Sequence, residues 1–117
     1  MSKAVKLGPT QYGIIVLTVL TALIHLGLGF SFMGAGFLPI LFILNGLGYL
    51  ALMVAYFWGG SISSQLVAMR GQIRWAYIAF TAVTIIAFFI MNFGNYQMPG
   101  LVDKLIEIIL VALLWRD

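Results

Sequence analysis

Apolar residues fill this chain in four long runs, and the polar residues collect between them. The runs cover residues 12–32, 38–58, 73–93 and 101–115. A bilayer core of about 30 Å is crossed by about 20 mostly apolar residues in a helix. The first three runs meet that length, and the fourth is shorter and interrupted by charge. The pattern predicts an all-α membrane protein with four transmembrane helices in one up-down bundle. A single domain uses residues 1–117.

The punctuation agrees. Pro9 and Thr10 form a helix start, with threonine able to cap and proline tolerated in a first turn. Pro39 fits the first turn of the second helix. The connections run over residues 33–37, 59–71 and 94–100. The first run is longer than the 7–15-residue apolar core of a signal peptide, and no A-x-A-like site follows it, so it is expected to be retained. Gly27 and Gly29, and Gly46 and Gly48, are spaced by two. They predict local close approach of helix backbones rather than a dimer motif.

Composition strengthens the assignment. Of 117 residues 63% are hydrophobic and 8% charged, and the mean hydropathy is +1.12. These values belong to integral membrane proteins. With no cysteine, the chain supplies no thiolate metal site, iron–sulfur ligand or thiol nucleophile. The six basic residues are scattered, so the net charge of +3 is no nucleic-acid signature. They act better as orientation signals. Lys3, Lys6, Arg70, Arg74 and Arg116 fall on one side if both termini are inside, which leaves Lys104 alone outside. Lys and Arg favour the cytoplasmic face, so N-in/C-in is expected in a multi-pass protein of the cell membrane. Tyr12, Trp58, Trp75, Tyr77, Tyr96 and Trp115 stand near run ends, as an aromatic belt requires.

Each run also carries one polar residue at similar depth. His25, Asn45, Thr84 and Glu107 all lie about 10 Å from the outer ends, counted at about 1.5 Å per residue. A buried ionisable group in a membrane faces the bundle interior or a partner. These four are therefore the candidate polar intramembrane layer, with His25 and Glu107 able to satisfy each other. Asp103 and Lys104 form a candidate interfacial charged pair. Asp103 sits in the first turn of the fourth helix, where the helix dipole favours an acid, and Lys104 snorkels outward. Asp103 and Glu107, four apart, share a helix face.

No catalytic residues emerge. There is no P-loop, zincin motif, dinucleotide fingerprint or hydrolase triad. Two acids and one histidine are too few to specify a metal, and no cofactor is implied. A haem or quinone shared with another subunit, with His25 as ligand, stays open.

The segments His25-Leu26-Gly27-Leu28-Gly29, Leu44-Asn45-Gly46-Leu47-Gly48-Tyr49, Phe80-Thr81-Ala82-Val83-Thr84 and Gly100-Leu101-Val102-Asp103-Lys104-Leu105-Ile106-Glu107 together resemble a family of small four-helix membrane proteins of archaea with no assigned activity. The resemblance implies a four-helix fold and an archaeal source, and no chemistry. Small four-helix multidrug transporters have similar length, but they carry a glutamate in the first helix where this chain has His25.

The function expected by elimination is that of a non-catalytic accessory subunit. Its partners would be larger integral membrane subunits of a respiratory, electron-transfer or oxygenase complex, and lipids. The alternative is a homo-oligomeric transporter or channel using His25, Asn45 and Glu107.

Overall fold

In a computed structural model the described residues, 7–117, form helices and connections with no strand. Lys3 and Lys6, counted above for orientation, lie outside the described residues. Four long helices are α1 (Pro9–Ser31), α2 (Leu38–Trp58), α4 (Arg70–Met91) and α5 (Met98–Arg116), with a short α3 (Ser64–Ala68) between α2 and α4. Three stretches, Pro9–Ser31, Leu38–Ser61 and Arg70–Met91, are long and apolar enough to cross a membrane.

The helix starts follow from local chemistry. Proline lacks an N–H, and a first turn needs none. Pro9, Pro39 and Pro99 each occupy the first two positions of their helix. Gly8 takes the N-cap place that Thr10 was expected to fill, and the Gln11 side chain accepts from the Gly8 N–H at 2.8 Å. With Pro99 in its first turn, α5 starts at Met98, three residues earlier than the apolar run does. Asp103 consequently lies beyond the first turn, inside the helix.

Around the bundle the order is α1, α2, α4, α5, so α1 and α4 each touch both α2 and α5. One end, here the hairpin end, carries the connections 32–37 and 92–97. The opposite end, the base, carries connection 59–69 and Asp117. The α1–α2 seam is the most extensive. It closes tightly because a Cβ at Gly46 would lie 2.9 Å from Leu26 Cγ and 3.0 Å from the Ala22 carbonyl oxygen.

Each helix turns one stripe inward at helical spacing. On α1 the stripe is Ile14, Thr18, Thr21, Ala22, His25 and Gly29, and on α5 it is Asp103, Lys104, Glu107, Leu110 and Leu114. Towards the base the core is aromatic and aliphatic, with Tyr56, Phe57, Tyr77, Leu110 and Leu114 fully buried. Tyr77 was placed in the aromatic belt by sequence. It shares a face with Ile73 and Thr81, both four residues away and buried, and is itself 0% exposed. Its hydroxyl is hydrogen-bonded to that of Thr18.

The base is tied together by charge. Arg74 donates to the carbonyl oxygens of Leu114 and Trp115 at 2.9 and 2.5 Å, capping the end of α5. Tyr56 donates to Asp117 at 2.6 Å, and Arg70 lies 3.5 Å from the same carboxylate.

Candidate functional site: a buried charge cluster

The hairpin-end half of the bundle encloses His25, Asp103, Lys104 and Glu107, none more than 4% exposed. α5 contributes three of the four because positions 103, 104 and 107 fall on one face of a 3.6-residue helix. The Lys104 ammonium is paired with the Glu107 carboxylate and lies 3.2 Å from Asp103 Oδ2. Thr21 donates to Asp103 Oδ1 at 2.6 Å and lies 3.2 Å from Glu107 Oε2, and Tyr49 donates to Glu107 Oε2 at 2.5 Å. His25 Nε2 faces Asp103 Oδ2 at 3.6 Å and Glu107 Oε2 at 3.9 Å, while Nδ1 meets the Thr21 carbonyl oxygen at 2.8 Å.

This arrangement satisfies the strong rule that buried charges are paired and hydrogen-bonded. Lys104 does not run outward along a lipid–water boundary. With α5 begun at Met98, the residue stands deep enough that its ammonium finds two carboxylates more readily than water. Asp103 is equally internal, so the two are part of the cluster rather than an interfacial pair.

The four residues of the expected layer divide. His25 and Glu107 come together, although Asp103 is the nearer carboxylate to His25. Asn45 and Thr84 pair with each other instead, with Thr84 Oγ1 3.2 Å from Asn45 Oδ1. They sit in an apolar groove of 340 Å³ between α2 and α4, beside Leu41, Phe80, Val83 and Ala87. Thr21 and Tyr49 complete the cluster and were not singled out in the sequence. The available signal was spacing: Thr21 is four residues before His25, and Tyr49 four after Asn45.

A second cavity, of 290 Å³, opens at the hairpin end and is lined by Asn92, Asn95, Gln97, Pro99, Phe42 and Phe88. Two of its phenylalanines also touch the cluster. The Phe42 ring lies edge-on to His25 with centroids 6.0 Å apart, and Lys104 Nζ is 5.1 Å from the Phe88 centroid. Both rings thus line this hairpin-end vestibule and touch the charged residues.

His25, Asp103 and Glu107 together offer one donor atom each, all within 4.8 Å of one another. That spacing suits a cation. The Lys104 ammonium already lies against both carboxylates and serves as a tethered one.

No family model, no curated protein and no solved structure matches this chain.

Proposed function

We propose that the chain is a four-span membrane protein, with both termini on the cytoplasmic face, that serves as a non-catalytic subunit packed against larger integral membrane proteins. The observation that carries this reading is the division between its outside and its inside. Away from the helix ends, exposed positions on every long helix are apolar, as with Val16, Leu23, Leu44, Leu47, Val83, Ile90, Leu105 and Ile108. The ionisable residues of mid-helix are turned inward and partnered within the chain. What the span offers its neighbours is helix surface.

α5 supports a fourth crossing. Its 19 residues extend about 28 Å, close to the thickness of a bilayer core, and its charges are spent inside. The base holds Arg70, Arg74 and the end of α5, which suits a cytoplasmic face. Membership among the small archaeal membrane proteins it resembles belongs to the same proposal.

Purification in mild detergent, followed by mass spectrometry, tests the subunit reading. Stoichiometric larger membrane chains are expected, and a lone homo-oligomer would refute it. Reporter fusions at both termini should report the cytoplasmic side, and a C-terminus found outside would refute the four-span topology.

One observation favours a second reading, that of a small transporter or channel. A cluster of ionisable residues inside a membrane bundle is costly and typically marks an ion or proton path. On this reading the purified chain alone, in proteoliposomes, would move protons or cations.

A further inference from the structure

The proton count of the buried cluster does not close on its ordinary ionisation states. The Thr21 carbonyl oxygen only accepts, so His25 Nδ1, 2.8 Å away, must carry a proton and donate it. A neutral imidazole then has a bare lone pair on Nε2. That lone pair would point at Asp103 Oδ2 and Glu107 Oε2, at 3.6 and 3.9 Å, with nothing donated between them. Two carboxylates and one ammonium would also leave a net charge of −1 in a buried site. One further proton removes both problems, making the cluster neutral and giving a hydrogen to the space between nitrogen and oxygens.

We infer that His25, Asp103 and Glu107 form a proton-binding site. It holds one proton on His25 Nε2 or on one of the two facing carboxylates and exchanges it with the hairpin-end vestibule past Phe42 and Phe88. On release, the bond to that proton breaks, its electron pair stays on the nitrogen or oxygen, and a vestibule water becomes hydronium. The cluster is then left at −1. Uptake reverses each step.

The surroundings make the direction of exchange one-sided. Facing His25 from α2 are Tyr49 and the Phe42 ring, and from α5 Asp103, Lys104 and Glu107. α4 brings the Phe88 ring to the cluster, and its described titratable groups, Arg70, Arg74 and Tyr77, lie towards the base. Towards the base the path meets fully buried Ile14, Tyr77, Leu110 and Leu114. Towards the hairpin end the Phe42 and Phe88 rings touch both the cluster and the cavity lined by Asn92, Asn95 and Gln97.

The chain has a single histidine, so ¹⁵N-histidine labelling of the full chain in lipid nanodiscs reports His25 alone. At neutral pH the expected spectrum has Nδ1 protonated. It shows in addition either a protonated Nε2 or one carboxylic acid in the ¹³C carboxyl region of Asp and Glu. A neutral imidazole beside two ionised carboxylates would overturn the inference, and so would a proton on Nε2 with Nδ1 bare. Asp103→Asn removes one negative charge, so His25 should become neutral with its proton on Nδ1 and Glu107 ionised. An unchanged spectrum would refute the charge count. Wild-type protein settles the question even where that variant fails to fold. Phe42→Ala should speed exchange of that proton with water several-fold, and an unaltered rate would refute the route. The inference does not rest on the subunit reading, since the isolated chain decides it.

Discussion

Replacing Lys104 with methionine removes the one fixed positive charge from the cluster and keeps most of the side chain's volume. At the 3.2 Å separation of Lys104 Nζ from Asp103 Oδ2, two unit charges attract by about 5 kcal/mol at an effective dielectric constant of about 20. Glu107 is paired as well, so two buried carboxylates lose their counter-charge together. Breaking a buried pair by removing one partner costs about 3–5 kcal/mol, and proton uptake by one carboxyl offsets part of it. Unfolding in mixed micelles with increasing dodecyl sulfate, followed by tryptophan fluorescence, measures the loss. Leu105→Met, at an outward position 58% exposed, is the control and should stay within about 0.5 kcal/mol of wild type. Adding Glu107→Gln to Lys104→Met should recover much of the loss, because the pair is then removed as a unit. A Lys104→Met protein as stable as the control, with no recovery in the double variant, would refute the internal placement of the ammonium.

Three further outcomes follow from the packing. Gly46→Ala should destabilise by about 1–3 kcal/mol through overpacking, whereas Gly27→Ala, whose added Cβ meets nothing within 4 Å, should be neutral or stabilising in the same unfolding assay. Tyr49→Phe removes the donor to the fully buried Glu107 Oε2 and should cost about 1–3 kcal/mol; a neutral result would mean that water or another donor serves that oxygen. Arg74→Gln should loosen the end of α5 by about 0.5–1 kcal/mol, read as faster amide exchange at the base and unchanged exchange around Asp103.

Depth along each helix was legible in the sequence, because residues can be counted from a run's end. Direction around the helix was much less so. An amphipathic stripe reveals the inner face of a soluble helix, but α2 is apolar nearly all round, and nothing in the pattern says that Tyr49 faces Glu107 while Asn45 faces the α2–α4 groove. His25 and Glu107 were legible because an ionisable group in an apolar run must find a partner. Asp103 and Lys104 were misplaced by a boundary. Three residues added before Leu101 carry both from a first turn into the interior. Tyr77 was misplaced by treating nearness to a run's end as exposure, when its spacing from Ile73 and Thr81 marks the buried face.

The acid–base triplet on α5 has a consequence for how the chain is made. α5 follows α1, α2 and α4 in chain order. Presented to a translocon alone, it would place Asp103, Lys104 and Glu107 in hydrocarbon, at about 2.5–3.5 kcal/mol for each such charge near a helix centre. Lys104 can neutralise its neighbours only in part. The remaining donors, Thr21 on α1 and Tyr49 on α2, and the imidazole of His25, belong to segments synthesised earlier. On the proposed four-span reading, vectorial synthesis delivers the cradle before the helix that needs it, and α5 would be integrated as a guest of the preceding helices rather than on its own hydropathy.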